Sequence, residues 1–150
     1  KIAVMEKGQV IETGRTIDVF GNPQHPTTKS FVRTIIGDSI PERVLNNLDD
    51  PTLKDIYRFE FLERSAQEPV INALILQGEV VINILFANMI EIEGNILGST
   101  FVQMKGAPEK VAKAVEYLRS HGVRVTHEGS KHLINMTHKE LNLDSVKKGA

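Results

Sequence analysis

The stretch from Gln77 to Gly106, Q-G-E-V-V-I-N-I-L-F-A-N-M-I-E-I-E-G-N-I-L-G-S-T-F-V-Q-M-K-G, admits few folds. It reads as two long strands joined at Glu93-Gly94-Asn95, residues that tolerate positive φ and suit a tight turn. Along the first strand Ile82, Ile84, Phe86, Ile90 and Ile92 recur at even spacing, which predicts a face packed on helices. In a sheet with one wet face the intervening positions would be polar. Here they are Val81, Asn83, Leu85, Ala87 and Met89, followed only then by Glu91 and Glu93. A three-residue loop adds Ile96, Val102 and Met104 to the packed face and leaves Leu97, Ser99 and Phe101 on the other. The second face is therefore largely apolar, with one amide set in it. A second subunit, a small ligand or both are expected to cover it.

That amide, Asn83, has two readings. Left unpaired on a buried face it would cost on the order of a few kcal/mol, so it needs a partner. The partner is either local backbone, at a bulge or at the sheet edge, or the polar end of a small ligand. A group that both donates and accepts suits the ammonium and carboxylate of an amino acid.

The flanks complete the pattern. Residues 53–63 read as a strand with Tyr57, Phe59 and Phe61 on one face and Ile56, Arg58, Glu60 and Leu62 on the other. Glu68-Pro69 opens a helix with the stripe Val70, Ile71, Leu74 and Ile75, ended by Gly78. Pro108 opens a second, with Val111, Ala114, Val115 and Leu118 inward, ended at Gly122. Residues 123–126 form a last strand. The order β-α-β-β-α-β predicts an α+β fold of the ferredoxin-like kind, a four-stranded antiparallel sheet with two helices on one face.

Ahead of this unit, residues 2–5 and 9–12 read as a β-hairpin turning at Gly8. Short helices follow at 16–20, from His25-Pro26-Thr27-Thr28 to Gly37, and from Pro41, the last with Val44, Leu45 and Leu48 on one side. Asp49-Asp50-Pro51 breaks the pattern. The expected division is 1–50 as a leading segment and linker, 51–129 as the sheet domain and 130–150 as a tail. The tail carries a weak helical stripe of Leu133, Ile134, Leu141, Leu143 and Val146. The abrupt strand-like start at Lys1, without an initiator Met, reads as a piece cut from a longer chain.

Several classes of function fall away. With Lys+Arg 18 against Asp+Glu 19 there is no basic surplus to hold nucleic acid or an anionic membrane. Cys 0 removes disulfides, thiolate metal sites and thiol nucleophiles. No apolar run approaches the roughly 18–20 residues that span a bilayer. No G-x-x-x-x-G-K-[ST] is present, and Gly94 to Gly98 lies inside a hairpin rather than between a strand and a helix. His25, His121, His127, His132 and His138 form no i,i+4 pair, so helix-end and surface roles are expected over a zinc site. No paired carboxylates or Ser–His–acid set stands out, and no catalytic residue is expected. A sheet of this topology can stack RNA bases on aromatic residues, here Phe101 with Tyr57 or Phe59, but the accompanying signature is absent.

Two stretches resemble known families. V-M-E-K-G-Q-V-I-E-T-G followed by V-F-G-N-P-Q-H-P-T-T-K-S-F-V, within residues 1–36, resembles the C-terminal end of ABC-importer ATP-binding subunits. Residues 53–127, with Asn83-Ile84-Leu85 and then Phe86-Ala87-Asn88-Met89, resemble the NIL domain appended to the ATPase subunit of methionine importers. The resemblance implies a regulatory domain that pairs with its copy and binds cytoplasmic L-methionine or a related amino acid. A cell replete in methionine would thereby stop importing it. It implies Asn83 as the ligand-facing amide, with Ile82, Ile84, Leu85 and Met89 as pocket or interface residues. It also implies that ATP, Mg and the Walker motifs belong upstream of Lys1. The parent would sit with a permease subunit on the cytoplasmic face of the bacterial membrane. The alternative is a dimerisation module that senses no ligand.

Overall fold

A computed structural model describes residues 1–37, 39–48, 50, 53–62, 69–131 and 133–134. The chain begins with the expected hairpin, β1 (Ile2–Glu6) and β2 (Gln9–Gly14), turning through Lys7 and Gly8 with both at positive φ. Helices α1 (Thr16–Gly21), α2 (Pro26–Ile36) and α3 (Glu42–Asn47) follow. Pro26 sits at the start of α2, and the imidazole of His25 caps it by accepting from the Thr27 amide at 3.2 Å. The Glu12 carboxylate, on β2, accepts from the Gln24 and His25 amides at 2.8 and 3.0 Å and so ties the hairpin to the entry of α2.

The rest is β3 (Ile56–Leu62), α4 (Val70–Gln77), β4 (Val81–Ile92), β5 (Asn95–Lys105), α5 (Pro108–Ser120) and β6 (Arg124–Gly129). The strands pair antiparallel in the order β4-β5-β3-β6, the ferredoxin-like arrangement. Val70 and Leu74 of α4 and Ala114 and Leu118 of α5 pack on Phe59, Phe61, Val102 and Met104 in a first core. Ile75, expected in the α4 stripe, is exposed.

The β4–β5 hairpin differs from the sequence reading in two ways that partly cancel. The connection is two residues, Glu93 and Gly94, both at positive φ, with Ile92 paired to Asn95. The ladder also slips at Leu85: Ile84 faces Val102 and Phe86 faces Phe101, a β-bulge. The shorter turn inverts the pairing parity and the bulge restores it. Ile82 and Ile84 therefore meet Met104 and Val102 as expected, on the helix side. Beyond the bulge, Phe86, Ile90 and Ile92 lie on the second side, with Phe101, Leu97 and Asn95. Ala87 and Met89 move to the helix side, opposite Thr100 and Gly98. Gly98 makes room there, because a Cβ on it would fall 1.7 Å from the Met89 sulfur.

The second side of the sheet is covered, in its middle, by the chain itself. Ile40, Leu45, Leu53 and Ile134 form a second core with Ile56 and Phe101, flanked by Val44, Leu48, Leu85 and Phe86. Leu45 is 0 % and Phe101 2 % exposed. The Phe86 and Phe101 rings meet at 6.4 Å between centroids. Phe101 is thus sealed away from any base-stacking role. The helical stripe Val44, Leu45 and Leu48 was readable, but its docking partner was not. From the tail, Ile134 is buried and Leu133 exposed, while Leu141, Leu143 and Val146 lie outside the described residues. Lys131 joins the two ends of this cover, its amide donating to Leu53 O at 2.9 Å and its ammonium to Leu48 O at 2.8 Å.

Leu45→Ala is expected to cost about 2–5 kcal/mol in urea unfolding, because it empties the centre of the second core. Leu76→Ala, at an exposed position on α4, should stay within about 0.5 kcal/mol. Equal behaviour of the two variants would contradict the docking of α3 on the sheet.

Candidate functional site

β4 lies at the edge of the sheet, so one of its edges carries backbone N–H and C=O groups that no strand among the described residues pairs. Twelve residues at roughly 3.4 Å each make that edge about 40 Å long. Val81 is 68 % and Ile84 56 % exposed, and Met89 is exposed as well. A long, apolar edge of this kind is a template for another strand.

Asn83 is exposed and faces Gln103 on β5, on the second side of the sheet. Gln103 is buried, and its amide nitrogen donates to Lys54 O at 3.3 Å. Val81 faces Lys105 one step further along. Two amides and an ammonium therefore share one end of this side, next to the apolar Val81 and the half-buried Leu85. Together they offer donors and acceptors for both polar ends of an amino acid. The sequence reading missed Gln103 and Lys105. Their signal was the pairing register, which assigns both to Asn83's side of the sheet once the bulge is placed.

The structure brings Asn83 and Leu85 together and puts Ile82, Ile84 and Met89 on the opposite side of the strand. Ile82 is half-buried against the first core. Beyond the bulge a second amide, Asn88, takes a structural role: its nitrogen donates to Ile36 O at the end of α2. Ser99 beside it donates to Gly37 O at 3.1 Å. These two bonds fasten the sheet to the leading segment.

A groove of about 920 Å³ lies at the end of the sheet, between α5 and the start of β3, lined by Tyr57, Met104, Val111 and Val115 and also by Gln103 and Lys105. None of the five predicted ligand residues lines it. Burial, and then the Asp55 carboxylate, hold the Tyr57 phenol above its usual pKa.

The histidines are accounted for locally where they are described. His127 stacks on Tyr57 at 4.6 Å, and His121 stacks on Tyr117 at 4.2 Å. His132 and His138 lie outside the described residues. Among the described residues, no three His, Asp or Glu side chains converge as a metal site, and no helix is long and apolar enough to cross a membrane.

Comparison with known proteins adds a family. Residues 55–127 match the NIL domain. The chain is 48 % identical over 130 residues to the methionine import ATP-binding protein MetN 2 of Acinetobacter baylyi, covering 87 % of this chain and 38 % of that protein. It is 39 % identical over 123 residues to MetN 1 of Shouchella clausii, covering 81 % of this chain and 35 % of that protein. The chain thus spans well under half the length of these relatives. Among solved structures, the C-terminal domain of an ABC transporter ATP-binding protein from Enterococcus faecalis aligns at a TM-score of 0.46 and 25 % identity, over 59 % of this chain and 94 % of that one.

Because Asn83 is exposed, Asn83→Ala should change urea stability by less than about 0.5 kcal/mol. A loss of about 1–3 kcal/mol would instead assign the amide a buried structural hydrogen bond.

Proposed function

With residues 55–127 belonging to the NIL domain family, we propose that this chain is the C-terminal regulatory part of the ATP-binding subunit of a methionine importer. In this reading it binds L-methionine beside Asn83, where two copies pair along β4, and the bound form restrains ATP-driven uptake. ATP and Mg chemistry belong to parts of the parent outside residues 1–150. The parent works with a permease subunit on the cytoplasmic face of the membrane.

The observation that carries this reading is the coincidence, on one strand, of an apolar edge that no described strand pairs and an exposed amide backed by Gln103 and Lys105. The polar cluster suits the ammonium and carboxylate of the ligand. Val81 and Leu85 suit a thioether, which is soft and apolar. Pairing of two edges would bring two such clusters close together. A ligand bound there shifts the pairing equilibrium by its differential affinity for the paired and unpaired forms, at a typical coupling of about 1–3 kcal/mol. The exposed edge alone equally supports the second reading, a dimerisation module without ligand sensing.

Isothermal titration with L-methionine, beside leucine and glutamine, separates the two. The sensor reading expects selective binding that Asn83→Ala weakens by about tenfold or more, the loss of roughly 1.4 kcal/mol of polar contact. A folded dimer that gives no heat and no change in melting temperature with methionine leaves only the dimerisation module. Both readings expect Ile84→Lys to shift the chain from dimer to monomer in sedimentation equilibrium, because a charge on the edge opposes strand addition. An unchanged dimer would place the interface elsewhere.

A further inference from the structure

The groove of about 920 Å³ at the end of the sheet has the size of a small-molecule site, roughly 300–1,000 Å³. Met104 of β5 and Val111 and Val115 of α5 give it an apolar floor. Met104 is 1 % exposed, and both valines are half-buried against the first core. Two acceptors without donors line the same groove, Gln103 and Asp55.

Gln103 is 6 % exposed. Its amide nitrogen donates to Lys54 O, and its amide oxygen accepts no hydrogen bond among the described residues. A buried amide oxygen left without a donor is costly, so a ligand that supplies one binds favourably. Asp55 precedes β3 at φ 57°, a left-handed conformation that aspartate tolerates better than most side chains. Its carbonyl accepts from the Met104 amide at 3.1 Å, which fixes this backbone against β5. Its half-buried carboxylate has no hydrogen bond and no ion pair among the described residues. That carboxylate, after burial, is the second cause of the raised pKa of the Tyr57 phenol, so it lies near a ring that also lines the groove.

The basic side chains of the lining do not satisfy these acceptors. Lys54 and Lys105 are exposed, and their long stems carry the ammonium groups out to water. Arg119 donates to Val125 O at 3.2 Å. Asp50 and Glu116 line the groove as well, so it carries no basic surplus.

Acceptors without donors call for a ligand rich in donors. An ammonium offers three N–H groups and the charge opposite to that of Asp55. A carboxylate on the same ligand would meet Asp55 as a like charge, which disfavours a free amino acid. The floor calls for a body of a few carbon atoms. We infer that this groove binds a small primary amine without a carboxylate, its ammonium between Asp55 and the Gln103 oxygen and its apolar body on Met104, Val111 and Val115. Gln103 also faces Asn83, but the two sites take different ligands, and failure of either leaves the other standing.

The test is an amide NMR titration of residues 1–150 with n-pentylamine, beside 1-pentanol and pentanoate at equal pH and ionic strength. Saturable shifts at the groove with the amine are expected, at an affinity at least about tenfold above that of either comparison compound. Asp55→Asn keeps the shape and the tolerance for a left-handed backbone, and should weaken amine binding by about tenfold or more. Ala112 is exposed on α5 and lines the groove, so Ala112→Phe should obstruct binding without disturbing the core, and it decides the matter if Asp55→Asn does not fold. No saturable binding of the amine, equal affinity for pentanol or pentanoate, or unchanged amine affinity in either folded variant would overturn the inference.

Discussion

Leu85 is an extra residue in the ladder between β4 and β5, with Ile84 opposite Val102 and Phe86 opposite Phe101. A one-residue slip of this kind moves every later side chain to the other side of its strand. The row that begins with Ile82 and Ile84 toward the helices therefore continues, from Phe86 to Ile92, on the second side. That side receives α3 and the end of α2, and the Phe86 and Phe101 rings lie in or beside the core they build. Without the bulge, the two-residue turn would still set Phe86 opposite Phe101, and Ile82 and Ile84 would turn away from the helices. The bulge also leaves Asn83 on the second side while Asn88, five residues later, shares that side. One amide is exposed near an open end, and the other is bonded to Ile36 O.

Much of this was legible in the sequence. Glycine and proline punctuation, with period-two and helical stripes, gave the β-α-β-β-α-β order, and the α5 stripe packs as expected. The turn was misjudged by one residue because Asn95 tolerates turn geometry as readily as strand geometry. The bulge left no signal, since Leu85 is as apolar as its neighbours and alternation looks unbroken through it. The two errors offset each other near Val102, which is why the core residues on β5 came out right while Phe86, Ile90 and Ile92 did not. The apolar second face was detected, but its cover was sought in another molecule. That cover includes Ile40 and Leu45, which share a core with Phe101 and Ile134 more than fifty residues further along the chain, and single-sequence patterns carry no such pairing. For the same reason Asn83 was found from composition while Gln103 and Lys105 beside it were not.

The arrangement links two functions of one sheet. Its outer strand offers an open edge and a polar cluster, and its inner strands hold the leading segment through Ser99, Phe101 and Ile56. Leu85 joins them, two residues from Asn83 and in contact with the core that seats α3. A change at the edge of β4 would reach the leading segment through the packed side chains of the second core. Coupling of this kind needs two discrete arrangements of the sheet and the segment, each favoured by a different ligand state.

The most direct test of this account is a backbone amide NMR titration of residues 1–150 with L-methionine. The account predicts saturating shifts centred on Val81 to Leu85 and on Gln103 and Lys105, with smaller changes reaching α3. Shifts confined to Tyr57, Val111 and Val115 beside α5, or no shifts at all from a folded chain, would contradict it.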